Sequence, residues 1–199
     1  EEGLMGLQKD PNYATNNWVY AFYAPTGDKE INRLSRFKFA NGVWDMASEQ
    51  IILELYSQRD ICCHTGGSIA FDKDGNLFLS TGDNSTPFNQ PGRKYTLNGY
   101  APLDGRDGNK QWDARRSSGN SNDLRGKILR IKVAEDGTYT IPEGNLYPQG
   151  TEGTRPEIYA QGLRNPYRIS VDQKTSFLYW GEVGPDANND SLEIGRAHV

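Results

Sequence analysis

The feature that most constrains the fold is a series of short apolar runs, each of strand length, separated by residues typical of turns. Helical periodicity is nearly absent, and Gly, Asp, Asn and Pro bound the runs. Strands are predicted on this basis at residues 18–23, 31–39, 51–55, 68–71, 77–81, 127–133, 158–162, 168–171 and 177–181. The pattern therefore predicts an all-β chain.

A weak internal repeat indicates how these strands are arranged. Residues 68–82 and 168–181 each contain an apolar strand ending in Asp, a turn and a second apolar strand, and residues 4–22 form a looser third copy. A strand, a hairpin and a second strand are typical of the beginning of a propeller blade. The repeat therefore favours a β-propeller over a sandwich.

Charge and composition exclude some functions. The net charge of −4 and pI near 5.3 argue against a nucleic-acid surface, because phosphate binding needs clustered Lys and Arg. The short basic clusters at residues 115–116 and 125–127 lie beside Asp residues and are expected to be solvated. No stretch approaches the roughly 18 apolar residues of a membrane span, so no membrane-spanning helix is expected.

A long segment without strand pattern, residues 85–124, interrupts the series. It is rich in Gly, Asn, Asp, Pro and Arg and contains Phe88, Tyr95, Tyr100 and Trp112. A loop of this length in a compact domain is usually functional or disordered. The four aromatic residues favour a packed loop that covers a site.

His64 and Asp83 are the first candidates for chemistry. His64 lies in a Cys-Cys-His-Thr-Gly-Gly loop just before a predicted strand, and Asp83 follows the partner strand of the same hairpin. Both positions fall at one edge of the sheet, so the two side chains are predicted neighbours. An Asp that holds one imidazole nitrogen leaves the other free to take a proton. The alternative is that His64 is a structural hydrogen-bonding residue.

Four separated segments carry a family resemblance: Gly-Leu-Met-Gly-Leu at 3–7 with Asp-Pro-Asn-Tyr at 10–13, the stretch from His64 to Asp83, Leu-Arg-Asn-Pro at 163–166, and Gly-Pro-Asp at 184–186. In this order and spacing they resemble the glucose/sorbosone dehydrogenase family of soluble PQQ enzymes. That resemblance covers residues 1–192 and implies a six-bladed β-propeller, of which this length supplies about four blades.

The resemblance also implies roles for individual residues. His64 resembles the base that takes the proton of the sugar's anomeric hydroxyl, and Asp83 resembles the carboxylate that orients that base. Arg164 and Asn165 resemble the pair that hydrogen-bonds the reactive carbonyl oxygen of PQQ, where a guanidinium stabilises negative charge.

A metal and a substrate contact are implied in the same way. Gly184 and Pro185 resemble the positions whose backbone carbonyls help to hold calcium against PQQ. Glu1 stands where well-known members of the family have a Gln that contacts substrate, so substrate preference is expected to differ.

The function implied is that of a quinoprotein oxidoreductase, a PQQ-dependent sugar dehydrogenase. Its partners would be a sugar or polyol and an external electron acceptor, either a quinone or a cytochrome, and its location would be the bacterial periplasm or the exterior. Two alternatives stay open: a non-catalytic β-propeller binding module, and a calcium-dependent propeller hydrolase or lactonase.

Two further features concern the ends of the chain and its cysteines. Residues 1–192 are expected to form an incomplete propeller domain, and residues 193–199 are expected to be a non-native tail read from an adapter sequence. The isolated fragment is expected to be inactive. Cys62 and Cys63 can form either a vicinal disulfide or two free thiols.

Overall fold

The computed structural model describes residues 3–88 and 103–184, which form antiparallel sheets as the sequence predicts. The first sheet contains four strands in chain order: β1 (Leu4–Lys9), β2 (Trp18–Tyr23), β3 (Ile31–Ala40) and β4 (Val43–Tyr56). A single helical turn, α1 (Tyr13–Asn16), connects β1 to β2. Each strand thus pairs with the next along the chain.

The second sheet supplies the elements that carry the site. Its strands are β5 (Gly66–Phe71), β6 (Leu77–Thr81), β7 (Lys127–Val133), β8 (Tyr139–Thr140) and β9 (Ile158–Gln161). Strands β5, β6 and β7 pair in order, and β7 then pairs with β9 at its beginning and with β8 at its end. A third, two-stranded sheet follows, formed by β10 (Pro166–Val171) and β11 (Leu178–Glu182).

This architecture confirms the all-β prediction and is consistent with a β-propeller-like fold. The blade count of about four is not confirmed, because the described residues form two sheets of four and five strands and one hairpin. Much of the chain length is used elsewhere: β4 alone has 14 residues, and residues 82–126 connect β6 to β7.

The main core lies between the first and second sheets. Phe22 and Leu34 from the first sheet pack with Leu77 and Leu129 from the second, and all four are at most 1% exposed. The strands β1 and β5 approach closely at glycine. A Cβ on Gly6 would lie 1.8 Å from the carbonyl oxygen of Gly67, so only glycine permits this contact.

Arg36 links the same two sheets through hydrogen bonds. Its Nη2 donates to the carbonyl oxygens of Ala134 (2.9 Å) and Glu135 (2.6 Å), in the turn between β7 and β8. Its Nε donates to Gln50 on β4, and its guanidinium lies 4.5 Å from the centre of the Trp18 ring. Arg36 is charged and only 3% exposed. Its burial is tolerated because these partners accept hydrogen bonds from its guanidinium.

Of the aromatic residues predicted to pack the segment between β6 and β7, Trp112 is packed and Phe88 is 60% exposed. Trp112 is completely buried, and its Nε1 donates to the carbonyl oxygen of Phe88. Tyr95 and Tyr100 lie outside the described residues. Among the helices described, none is long and apolar enough to cross a membrane.

The expectation that both basic clusters are solvated is wrong for the second one. Arg125 is 5% exposed and Lys127 is fully buried, whereas Arg115 lies at the surface. Lys127 is buried because the segment that precedes it supplies oxygen atoms that bind its ammonium group. The Lys127 ammonium donates to the carbonyl oxygens of Ser117, Ser118 and Arg125, which replace its water shell.

Candidate active site

The two residues predicted as neighbours, His64 and Asp83, are hydrogen-bonded. His64 Nδ1 lies 2.8 Å from Asp83 Oδ1, and the residues are 7% and 1% exposed. A carboxylate only accepts hydrogen bonds, so this contact assigns the hydrogen to Nδ1 and the lone pair to Nε2. The pair can therefore accept a proton at Nε2, with Asp83 stabilising the imidazolium that results.

An unusual backbone conformation places His64 beside Asp83. Cys63 and His64 have φ values of +94° and +55°, and Asn84 on the facing segment has +52°. The Asn84 N–H donates to the carbonyl oxygen of His64 at 3.0 Å. A Cβ on Gly82 would lie 1.9 Å from that same oxygen, so glycine is required there. Strained backbone of this kind is typical of functional sites.

Ser85 is a member of the site that sequence reasoning missed. Its backbone N–H and its hydroxyl both donate to Asp83 Oδ1, at 2.8 and 2.9 Å, and its Oγ lies 3.3 Å from His64 Nδ1. Asp followed two residues later by Ser is a common local turn in which the carboxylate accepts the serine N–H. That local pattern is the signal that could have identified it.

The turn that contains Arg164 and Asn165 lies against this pair. The Asp83 N–H donates to the carbonyl oxygen of Arg164 at 2.7 Å, and the Gly66 N–H donates to Asn165 Oδ1 at 3.1 Å. Arg164 Nη1 donates to the carbonyl oxygen of Val183 at 2.7 Å. Both residues are partly exposed. The structure thus brings together four of the residues that the sequence indicated.

Glu182, at the end of β11, holds that turn and was not identified from the sequence. Its Oε1 accepts the backbone N–H groups of both Arg164 and Asn165, the first at 2.8 Å. Its Oε2 is buried and has no hydrogen-bond partner among the described residues. Burial raises the pKa of the Glu182 carboxyl above its usual value, although the two N–H donors oppose that shift.

Two arginines, Arg125 buried and Arg116 partly buried, contact the residue after Asp83. Arg125 Nη1 donates to Asn84 Oδ1 (3.1 Å) and Arg116 Nη2 donates to the Asn84 carbonyl oxygen (2.5 Å). Asp123 pairs with Arg125 at 2.6 Å. Burial and the nearby Arg125 charge lower the pKa of the Arg116 guanidinium. These cations fix the segment after Asp83 and place positive charge behind the carboxylate.

The two cysteines form a vicinal disulfide directly before His64. Of the two alternatives left open by the sequence, a vicinal disulfide or two free thiols, the structure has the disulfide, which closes a ring. The Sγ atom of Cys62 lies 3.8 Å from Thr86 Oγ1, within the segment that follows Asp83. The ring therefore restricts the backbone of the residue that precedes His64.

Of the three residues predicted to bind calcium or substrate, the structure describes one. Gly184 is described and partly exposed, whereas Glu1 and Pro185 lie outside the described residues. No group of three or more His, Cys, Asp or Glu side chains that could hold a metal is found among residues 3–88 and 103–184.

The protein is of the all-β, propeller-like class, with antiparallel sheets that follow one another along the chain. The buried imidazole–carboxylate pair lies at the edge of the second of these sheets. The family model for Glucose / Sorbosone dehydrogenase matches residues 1–197, and the chain belongs to that family. This confirms the resemblance seen in the sequence.

Curated relatives are longer proteins. The HIPL2 protein of Arabidopsis thaliana is 33% identical over 134 residues, which cover 61% of this chain and 16% of the relative. The human Hedgehog-interacting protein is 26% identical over 186 residues, which cover 87% of this chain and 23% of the relative. The chain thus spans less than a quarter of the length of these two proteins.

Solved structures agree on the fold. The PQQ-bound aldose sugar dehydrogenase of Streptomyces coelicolor is 25% identical, with a TM-score of 0.62 over 94% of this chain and 43% of its own. An oxidoreductase of Thermus thermophilus, described as a glucose dehydrogenase, is 28% identical, with a TM-score of 0.65 over 93% of this chain and 46% of its own. The chain spans less than half of either.

Proposed function

We propose that the full-length protein is a quinoprotein oxidoreductase that oxidises a hydroxyl group of a sugar or polyol, with His64 as the general base. The observation that carries this proposal is the buried hydrogen bond between His64 Nδ1 and Asp83 Oδ1. It presents Nε2 as the basic nitrogen and provides a carboxylate for the imidazolium. Base catalysis of this kind contributes about 10²- to 10⁴-fold to a rate.

The residues next to the pair suit a cofactor that develops negative charge. When bound, PQQ supplies the acceptor for hydride from the substrate carbon. Arg164 and Asn165 would hold its reactive carbonyl oxygen, since Arg164 is partly exposed and keeps guanidinium donors beyond the one given to Val183. A fixed cation beside an oxygen that becomes negative stabilises the transition state. The PQQ-bound relative supports this choice of cofactor.

Calcium is proposed as the companion of PQQ, held in part by the carbonyl oxygens of Gly184 and Pro185. Hard cations prefer such oxygens. The position of Gly184 supports this role, because it follows directly on Val183, whose carbonyl oxygen accepts the Arg164 side chain. Glu1 is proposed to contact the substrate, and a quinone or cytochrome is proposed to reoxidise the cofactor.

A periplasmic or secreted location is proposed with this function. The vicinal disulfide of Cys62 and Cys63 supports it, because disulfides persist in oxidising compartments and are rare in the cytosol.

A non-catalytic binding propeller is the second candidate. The observation that favours it is the match to the Hedgehog-interacting protein over 87% of the chain, since that relative is named for an interaction rather than a reaction. A fold can keep its architecture and change its function. Retention of the His64–Asp83 pair and of the Arg164 turn favours the enzyme for this chain.

Dye-linked turnover by the full-length protein tests the proposal. Aldoses and polyols would be assayed with calcium, in the presence and absence of PQQ, and PQQ binding would be followed separately by its absorbance. Turnover that requires PQQ is the expected result. Failure of the full-length protein to bind PQQ at micromolar concentrations would exclude the quinoprotein and favour the binding module.

A further inference from the structure

Glu182 is a partly buried carboxylate, with its Oε2 atom fully buried, that the proposed reaction does not yet use. It belongs to the third sheet, where it ends β11 opposite Pro166, the first residue of β10. The pairing of these strands is irregular between Pro166 and Arg168, so the turn before β10 is not fixed by regular strand pairing. The Glu182 side chain is one of the groups that hydrogen-bond this turn, through the N–H groups of Arg164 and Asn165.

We infer that Glu182 is a positioning residue, whose Oε1 atom sets where Arg164 and Asn165 stand relative to the His64–Asp83 pair. This inference deepens the proposed function and rests on it. Glu182 is not assigned a contact with substrate or cofactor. It acts through the two backbone N–H groups that it binds.

The first step of the argument is that one atom fixes two consecutive residues. Oε1 accepts the N–H groups of both Arg164 and Asn165, which fixes the orientation of two successive peptide groups. Arg164 Nη1 then reaches the carbonyl oxygen of Val183, the residue directly after Glu182. The Val183 N–H in turn donates to the Asn165 carbonyl oxygen at 3.1 Å. The end of β11 thus holds both the backbone and the side chain of the turn.

The second step is that the same turn contacts the catalytic pair across two sheets. The Arg164 carbonyl oxygen accepts the Asp83 N–H, and Asn165 Oδ1 accepts the Gly66 N–H. Asp83 and Gly66 belong to the second sheet and its edge, whereas Glu182 belongs to the third. A shift at Glu182 therefore moves Arg164 relative to Asp83 and His64.

The third step concerns reach and charge. Glutamine has the same length as glutamate and keeps an oxygen that accepts two N–H groups, although it loses the charge. Aspartate keeps the charge and withdraws the oxygen by one methylene group. If the role is hydrogen-bond acceptance at a fixed place, Glu182→Gln preserves it and Glu182→Asp does not. If charge is what matters, the order is reversed.

The experiment compares Glu182→Gln, Glu182→Asp and Glu182→Leu in the full-length protein. Glu157 provides a control, because it is a carboxylate just before β9 that is hydrogen-bonded in a similar way, by Arg155 and by Tyr139 on β8. We expect kcat to fall about a hundredfold in the Asp and Leu variants, since displacements near 1 Å cost that much. The Gln variant should recover to within about threefold of wild type, and Glu157→Asp should leave kcat and PQQ affinity unchanged.

Two readouts do not depend on turnover. PQQ affinity should weaken about tenfold in Glu182→Asp and recover in Glu182→Gln. Amide hydrogen exchange of Arg164 and Asn165 should accelerate in the Asp and Leu variants alone. Exchange unchanged in all three variants would overturn the inference even in an active enzyme, and so would an Asp variant more active than the Gln variant.

Failure of the proposed function gives a different pattern. If the wild-type protein binds no PQQ and turns over no substrate, the quinoprotein proposal fails and the catalytic part of the inference fails with it. The exchange measurement still decides whether Glu182 holds the turn. A loss of Tm in every variant, Glu157→Asp included, with kcat unchanged would reduce Glu182 to a structural residue.

Discussion

Lys127 is a charged side chain that the fold buries near Asp83 of the candidate active site. The side chain is fully buried, and its Nζ donates to three carbonyl oxygens at 2.7 to 3.2 Å. Burial lowers the pKa of Lys127 to about 8, and the nearby Arg125 charge acts in the same direction. Near neutral pH Lys127 therefore stays protonated, and the burial of its charge lowers the free energy of unfolding.

This burial predicts a pH dependence of the free energy of unfolding. In the unfolded chain Lys127 has a pKa of about 10.4. Between about pH 8 and that value the unfolded state binds more protons than the folded state, so stability rises with pH. From pH 7.5 to 9.5 the gain should be roughly 2 kcal/mol for wild type relative to Lys127→Met.

Chemical denaturation of the full-length protein at a series of pH values measures this difference. The series should stop at pH 9.5, because Tyr20 and Tyr139 have pKa values raised by burial to about 12 and reduce stability above pH 10. Parallel curves for wild type and Lys127→Met would show that Lys127 does not titrate as proposed.

Residues in the site differ in how well sequence could predict them. The proximity of His64 and Asp83 follows from a hairpin, because the loop before its first strand and the end of its second strand meet at one edge. Glu182 could not be found in this way. Its contact with the Arg164 turn depends on how β10 and β11 pair, and on an irregularity that no local pattern marks.

At the scale of elements, the connection between β6 and the loop before β5 determines whether the pair can form. Gly82 follows β6, and its backbone touches that of His64 so closely that a Cβ would lie 1.9 Å from the His64 carbonyl oxygen. The Asn84 N–H donates to the same oxygen. Any side chain at position 82 must push these two segments apart.

Gly82→Ala is therefore expected to reduce kcat by about a hundredfold, because His64 moves away from Asp83. Gly181→Ala in β11 is the matched control, since a Cβ there meets nothing within 4 Å and Gly181 has no positive φ. Steady-state kinetics and PQQ titration of the two full-length variants make the comparison. Equal activity of Gly82→Ala and Gly181→Ala would contradict this account of the site.

The elements themselves were predicted where apolar residues repeat at strand spacing. Strands β2, β6 and β7 begin and end where the sequence places them. The first half of β4 was missed because residues 43–50 are four apolar and four polar residues that do not alternate, and none of them is buried. Strand β8 was missed because two residues carry no periodic signal.

At the scale of the whole molecule, the described residues leave apolar side chains exposed on the first strand, β1, and in the last sheet, on β10. On β1, Leu4 and Leu7 are 64% and 53% exposed, and Tyr167 on β10 is 51% exposed. The solved relatives are more than twice as long as this chain. In a complete propeller, blades repeated around a central channel leave only short, protected edges.

The isolated chain is therefore predicted to associate or precipitate and to have little activity, because exposed apolar strands pair with other chains. Light scattering and thermal melting of residues 1–192, beside the full-length protein, measure this. A sharp and reversible melt of residues 1–192 as a monomer would refute the prediction.

The central claim is that His64, oriented by Asp83, is the base in a PQQ-dependent oxidation, and a double-mutant cycle tests it most directly. The kcat of the full-length protein at saturating PQQ would be measured for His64→Ala, Asp83→Asn and the double variant. We predict that His64→Ala lowers kcat by about 10²- to 10⁴-fold with PQQ affinity retained. Adding Asp83→Asn should then cost little more, because Asp83 acts through His64. A His64→Ala variant within a few-fold of wild-type kcat, or fully additive losses, would contradict the account.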